Sequence, residues 1–185
     1  MKLIKIILTL LISFNIPFKA ISSNEFQNLL KDGGKLIFIR HAYAPGGGDP
    51  DNFDIKDCTT QRNLNDAGRL QSKKIGKFFK ENKIPIDLVI SSEWCRCKET
   101  ASIAFENYEL KNFLNSFYST KFAKNKKLQM INLKKYVDNW DGKKNLVLVT
   151  HYVVISEAVN YAPSSGEIVI ADKNFKKLGN IEINY

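Results

Sequence analysis

Leu36-Ile37-Phe38-Ile39-Arg40-His41 is a short apolar run that ends abruptly in a cation and an imidazole. Leu146-Val147-Leu148-Val149-Thr150-His151 repeats the arrangement more than a hundred residues later. Apolar runs of this length without polar alternation mark strands covered on both faces, as in a parallel sheet between helical layers. In such sheets, binding groups gather outside the carboxyl ends of the strands. His41 and His151 are the chain's only two histidines, and each closes a strand of the same kind. They read as one shared site.

The rest of the chain alternates in a way that supports this frame. A short helix over Asn24 to Lys31 is expected to stop at Gly33-Gly34, before a first strand over Lys35 to Arg40. Ala42 to Gln61 is a polar loop holding Gly46-Gly47-Gly48 and several acids. At roughly twenty residues it is long for a connector, and such loops are functional or mobile. Asn65 suits the N-cap of a helix running to about Asn82, with Ala67, Leu70, Gln71, Ile75, Phe78 and Phe79 on one face. Pro85 breaks the chain, Ile86 to Ile90 is a second strand ending in Ser91-Ser92, and a helix is expected over Glu93 to Asn107. The aromatic stretch Asn107 to Phe122 has no readable period. Lys126 to Asn139 reads as a helix with Leu128, Ile131, Leu133 and Tyr136 as its apolar positions. Asn145 to Thr150 is the third strand, His151 to about Tyr161 a short helix ended by Ala162-Pro163, and Glu167 to Ala171 with Leu178 to Asn184 a closing strand pair. Strands alternating with helices predict an α/β fold: a three-layer α/β/α sandwich around a mainly parallel sheet, with an edge hairpin.

Composition fits one globular domain, with 44% hydrophobic and 25% charged residues over 185 positions. Residues 1–22 stand apart. Lys2 and Lys5 precede an apolar stretch, Ile6 to Phe18, and Ala20-Ile21-Ser22 offers small residues where a signal peptidase reads. The competing reading, a transmembrane anchor, needs roughly 20 apolar residues, more than this stretch supplies. Residues 1–22 are therefore assigned as a signal peptide and 23–185 as the mature domain, periplasmic or secreted and without stable membrane insertion after cleavage. Loss of Lys2, Lys5 and Lys19, with no acid among residues 1–22, lowers the net charge from +9 to +6. A basic protein suits an anionic substrate or an anionic membrane surface, and the partner expected here is the first, a small molecule. Nucleic acid is not expected, since the lysines are dispersed and no arginine–aromatic array accompanies them.

Cys58, Cys95 and Cys97 are an odd set without paired metal-ligand spacing. On a helix, Cys95 and Cys97 point about 200° apart. Cys97 shares a stripe with Ala101 and Ala104 and reads as core, which leaves Cys95 as the better disulfide partner for Cys58.

Phosphoryl transfer without a metal needs a nucleophile, cationic forks for the non-bridging oxygens, and a proton for the leaving group. Neutral imidazole serves the first need and guanidinium the second. Arg40-His41 supplies one of each at a strand end. Arg96 stands past the next strand near a helix start, which favours anions, and His151 closes the set. Arg62 reads equally as a substrate-binding cation and as a structural ion-pair partner. Gly46-Gly47-Gly48 reads as a flexible loop, since no strand runs straight into it.

Arg40-His41-Ala42, Arg62-Asn63-Leu64-Asn65-Asp66-Ala67-Gly68-Arg69, Ser91-Ser92 through Arg96 to Glu99-Thr100-Ala101, and Val149-Thr150-His151 occur in one order. In that order they resemble the histidine phosphatase superfamily, the phosphoglycerate mutase-like clan, over roughly Lys35 to Ala171. The resemblance extends to an exported branch that includes a lipopolysaccharide core heptose phosphate phosphatase. It implies a phosphoglycerate mutase-like fold and a phosphoric monoester hydrolase acting on a sugar phosphate or another small phosphomonoester. His41 would be the nucleophile, and Arg40, Arg96 and His151 would hold the phosphoryl oxygens. No metal and no organic cofactor is implied. A phosphate-binding member without catalysis and a phosphohistidine protein phosphatase are the alternatives. Two departures stand out: Ala42 replaces the usual glycine after Arg-His, and Tyr152 follows His151, so the His-Asp form of the leaving-group acid is absent. Asp49, Asp54, Asp57 and Glu167 are the remaining carboxyl candidates.

Overall fold

Alternate residues of the first strand, β1 (Leu36–Arg40), enter two different cores. Leu36 and Phe38 join one apolar cluster and Ile37 and Ile39 the other, because successive side chains of a strand point to opposite faces. The computed structural model describes residues 28–185. The signal peptide assigned to residues 1–22, and the start of the helix expected from Asn24, lie outside the described residues. Residues 28–31 are helical.

After β1 come α1 (Asp66–Glu81), β2 (Ile86–Ser91), α2 (Cys95–Phe105) and β3 (Glu109–Leu110). The short helix α3 (Thr120–Ala123), α4 (Lys126–Asn139), β4 (Asn145–Thr150), α5 (Tyr152–Val159), β5 (Ile168–Ala171) and β6 (Lys177–Ile181) complete the order. The six strands form one sheet in the order β3-β2-β4-β1-β5-β6. The pairs β1–β4, β2–β4 and β2–β3 are parallel, whereas β1–β5 and β5–β6 are antiparallel. The expected mainly parallel sheet with an edge hairpin is present. Ile75 and Phe79 of α1 and Cys97 and Ala101 of α2 cover one face. Leu133 and Val137 of α4 and Val154, Ile155 and Val159 of α5 cover the other.

Several boundaries and faces differ from the sequence reading. Leu70 of α1 is 50% exposed, and Leu128 and Ile131 of α4 are 63% and 53% exposed. The buried stripe of α1 is Gly68, Gln71, Ser72, Ile75 and Phe79, and that of α4 is Gln129, Leu133 and Val137. Buried amides displace apolar residues because neighbouring loops need donors and acceptors there. Gln71 accepts from Tyr43 N and donates to the carbonyls of Ser165 and Ile183. Asn65 caps α1 through Gly68 N as expected. The second helix begins at Cys95 rather than Glu93, with Trp94 as N-cap. His151 is the N-cap of α5, which ends at left-handed Asn160, before Ala162-Pro163. The unassigned stretch contains β3, a 3₁₀ turn at Asn112–Leu114 and α3.

Two glycines fix the approach to the strand ends. A Cβ on Gly68 would sit 2.0 Å from the Tyr43 carbonyl, so the first turn of α1 packs directly on the loop after His41. Gly166 has φ of +72° and donates its N–H to the carbonyls of Arg40 and His41.

Candidate functional site

The central strands end level with one another. Arg40 stands opposite Thr150, Ser91 opposite Val149, and His41 N continues the ladder to Thr150 O at 2.9 Å. His41 after β1, His151 after β4 and Arg96 in the first turn of α2 therefore converge from three adjacent strands. The two imidazoles lie with centroids 5.5 Å apart. Arg40, His41, Arg62, Arg96 and His151 line one cavity of about 710 Å³, walled by Phe53, Trp94, Phe122 and Tyr152 and rimmed by Gly46-Gly47-Gly48.

Each imidazole is 2% exposed and hydrogen-bonded in a way that fixes its tautomer. His41 Nδ1 lies 2.8 Å from the Ala42 carbonyl, which only accepts, so Nδ1 carries the proton and Nε2 the lone pair. Ala42 N is held by Thr100 Oγ1, which donates in turn to the Arg96 carbonyl. Ala42 is fully buried and keeps a negative φ, so alanine stands there without strain. His151 Nε2 lies 3.0 Å from Ser92 Oγ. The Ser92 hydroxyl donates to Asn115 Oδ1, whose amide is oriented by donating to Glu93 and accepting Glu93 N. A serine already donating to the amide receives the His151 Nε2 proton, which leaves the Nδ1 lone pair.

Burial first, and the Arg96 charge second, hold both imidazoles well below their ordinary value of 6.5. Each is therefore neutral at neutral pH. Burial and the Arg96 charge likewise lower Arg40 and Arg62. Three guanidiniums line one cavity, and the Arg96 charge makes the charged forms of Arg40 and Arg62 costlier.

The arginines differ in what they have spent. Arg40 donates NH1 to the Pro163 carbonyl at 2.8 Å and lies over the Tyr152 ring, while its buried Nε has no partner. Arg96, 3% exposed, binds Asp49 through NH1 and NH2, and its buried Nε is also without a partner. Arg62 gives Nε to Gly48 O at 3.0 Å and NH1 to Ala44 O. An unpartnered buried donor is costly in a finished core. Arg40 and Arg96 both line the one cavity, and donors left over there suit an anion.

Of the four candidate acids, Asp49 lines this cavity beside the arginines. Asp54 caps Lys56 N in the exposed loop, and Asp57 caps Thr59. Glu167 is buried elsewhere, bonded to Tyr161 Oη, Ser164 N and Asn180 Nδ2. In the sequence Asp49 is one acid among several, although the glycine run before it is the signal that its backbone makes a tight return. Cys58 and Cys95 form a disulfide, Cα atoms 5.7 Å apart, that ties this loop to α2 beside Arg96. Cys97 is buried beneath His151. Among the described residues no cluster of His, Cys, Asp or Glu is placed to hold a metal ion, and no helix is long and apolar enough to cross a membrane.

Comparison with known proteins agrees with this architecture. Residues 36–114 match the histidine phosphatase superfamily, branch 1, a span that includes Arg40, His41, Arg62 and Arg96 and stops short of His151. The mitochondrial serine/threonine-protein phosphatase Pgam5 of Drosophila virilis is 33% identical over 82 residues, 44% of this chain and 26% of that protein. The match thus spans about a quarter of that relative's length. The protein histidine phosphatase SixA complexed with tungstate superposes with a TM-score of 0.56 at 16% identity, covering 81% of this chain and 96% of the other. A phosphoglycerate mutase from Thermus thermophilus gives 0.57 at 14% identity, covering 81% and 99%. The fold is that of these two proteins.

Proposed function

We propose that this protein is an exported phosphomonoesterase that works through a phosphohistidine on His41, with a sugar phosphate or another small phosphomonoester as substrate. The observation that carries the reading is the pairing of a neutral imidazole, its Nε2 free, with two guanidiniums, Arg96 buried and Arg40 half-buried, whose buried Nε donors lack partners. The tungstate held by a protein of the same fold supports it, because tungstate is a tetrahedral oxyanion like phosphate.

In the first step His41 Nε2 forms a bond to phosphorus as the bond to the leaving oxygen breaks. That oxygen takes a proton from water and departs as the alcohol, the proton being returned to solvent when water hydrolyses the phosphohistidine. The ring becomes cationic, and the Ala42 carbonyl, already accepting from Nδ1, stabilises that charge. Arg40 and Arg96 hold the equatorial oxygens, the largest expected contribution to the rate. His151 joins them by taking a proton from the phosphomonoester monoanion on its Nδ1 lone pair and donating it back to a phosphoryl oxygen. Water then attacks phosphorus, the P–N bond breaks, and neutral His41 and inorganic phosphate result. Asp49, the cavity's ion-paired carboxylate, is not poised as an acid. This favours substrates whose leaving group needs little protonation, and it is the specific support for the second reading, a phosphohistidine protein phosphatase.

The test is turnover of a generic phosphomonoester by the mature protein and by His41→Ala. Loss of turnover on the order of 10⁴-fold supports the enzyme. Phosphate binding without turnover in the unaltered protein contradicts it and leaves a binding protein. Phosphohistidine peptide tested beside sugar phosphates separates the two enzymatic readings.

A further inference from the structure

Both oxygens of Asp49 are fully occupied. Oδ1 accepts from Arg96 NH1 at 2.6 Å and from Arg62 N at 3.1 Å. Oδ2 accepts from Arg96 NH2 at 3.2 Å and from the Trp94 indole N–H at 3.0 Å. With four donors converging on it, a carboxyl proton here would point at an N–H. Asp49 therefore sits as a carboxylate. Burial alone would raise its pKa, but the Arg96 bonds and charge, with Trp94 and Arg62 N, hold it below the ordinary carboxylate range.

Arg96 has five N–H donors in one plane. Asp49 takes one from NH1 and one from NH2, and the Arg62 carbonyl takes a second from NH1 at 3.2 Å. What remains is the Nε–H, buried without a partner, and the second NH2 hydrogen beside it. Those two form the side-on fork of the guanidinium, the geometry that matches two oxygens of a phosphoryl group.

We propose that Asp49 is a positioning residue for phosphoryl transfer, gripping the NH1–NH2 edge of Arg96 so that the Nε–NH2 edge is aimed into the cavity as the anion fork. The proposal rests on reading the cavity as a phosphoryl site. The loop is built for this. Gly46 and Gly48 take positive φ to turn the chain back, and Arg62 Nε secures the Gly48 carbonyl next to Asp49.

Two other roles make opposite predictions, and this gives the test its edge. A leaving-group acid at Asp49 would matter for an alkyl phosphate and hardly at all for an aryl phosphate, whose leaving group departs unprotonated. A carboxylate that merely offsets charge would, once removed, leave a more positive cavity that binds phosphate more tightly. The positioning role predicts equal losses on both substrates and weaker phosphate binding, because the fork loses its aim.

The experiment measures p-nitrophenyl phosphate and glycerol 2-phosphate turnover, and inhibition by inorganic phosphate, for Asp49→Asn, Arg96→Ala and the double variant. Asp49→Asn is expected to lower kcat/KM on the order of 100-fold for both substrates, the cost of misplacing a reacting group by about an ångström, and to weaken phosphate inhibition. The double variant should be no worse than Arg96→Ala, since Asp49 acts only through that arginine. A loss confined to glycerol 2-phosphate, tighter phosphate inhibition, or losses that multiply in the double variant would overturn the proposal. If Arg96→Ala itself is fully active, the phosphoryl site is misassigned and the proposal falls with it. Should Asp49→Asn fail to fold in a thermal melt, Trp94→Phe removes only the indole donor to Oδ2 and keeps an aromatic ring. A smaller loss, equal on the two substrates, is then expected, and a loss on glycerol 2-phosphate alone would contradict it.

Discussion

The two edges of the parallel sheet bury polar groups for opposite ends. At the amino edge Asn145 is fully buried and spends everything it has: Oδ1 accepts Lys35 N at 3.1 Å, and Nδ2 donates to Leu30 O at 2.7 Å and Pro85 O at 2.8 Å. At the carboxyl edge Arg96 is held by Asp49 and Arg40 by the Pro163 carbonyl, but each keeps a buried Nε unpaired. A satisfied buried amide is structure. A fixed buried donor with nothing to bind is stability withheld until a ligand arrives.

That contrast is open to attack from both sides. The largest effect should come from the carboxyl edge: Arg40→Ala and Arg96→Ala each lower kcat on the order of 10²–10³-fold, in the range for removing one preorganised donor to developing charge. For Arg40→Ala the unfolding free energy should change far less, which a denaturant titration beside the kinetics will show, whereas Arg96→Ala also strips Asp49 of its ion-pair partner and costs stability as well. Equal losses of stability and activity in Arg40→Ala would erase the distinction between the edges.

Next is the tether that keeps the long loop at the carboxyl edge. Cys58 and Cys95 close a loop with a sequence separation of 37. Replacing both by serine should cost ~2–4 kcal/mol in unfolding free energy. It should also lower the turnover of protein that remains folded, because Asp49 and Arg62 ride on the released segment. Unchanged turnover would show that the clamp on Arg96 holds without its staple.

The amino edge makes the converse prediction. Asn145→Ala strands Lys35 N and takes the second donor from Leu30 O and from Pro85 O, which keep Gly33 N and the backbone N of residue 145, and should cost ~1–3 kcal/mol. The melting temperature falls while kcat per folded molecule stays the same.

Smallest is the pH dependence of stability. His41 and His151 have values lowered below 6.5 in the fold, so the unfolded chain takes up protons first as pH falls. Stability is fully present above about 6.5 and declines as pH drops below it toward the lowered folded values. A melting temperature that falls between pH 7 and 5, and falls less in His41→Asn/His151→Asn, is expected.

How much of this is legible in the sequence follows from what each level of structure depends on. β1 and β4 are readable because a strand buried on both faces must be apolar throughout, and their ends carry the two histidines. Arg96 is readable from its place after β2. The inner faces of α1 and α4 are legible only in part: Gln71, Ile75, Phe79 and Leu133 are buried as read, whereas Gln129 is buried to serve loop carbonyls and Leu70, Leu128 and Ile131 face solvent. Asp49 stands in the sequence only as one loop acid among several. Its position depends on two glycine φ angles, a disulfide and the Gln61 contact to Cys95 N, and none of these has a period.

The measurement that bears most directly on the central claim is a rapid acid-free quench of the purified protein with a phosphoryl-labelled phosphomonoester, followed by mapping of the acid-labile label. A phosphoryl group on His41, absent from His41→Ala, is the predicted result. Label on a serine or cysteine, or on His151 with His41 unmodified, would contradict it.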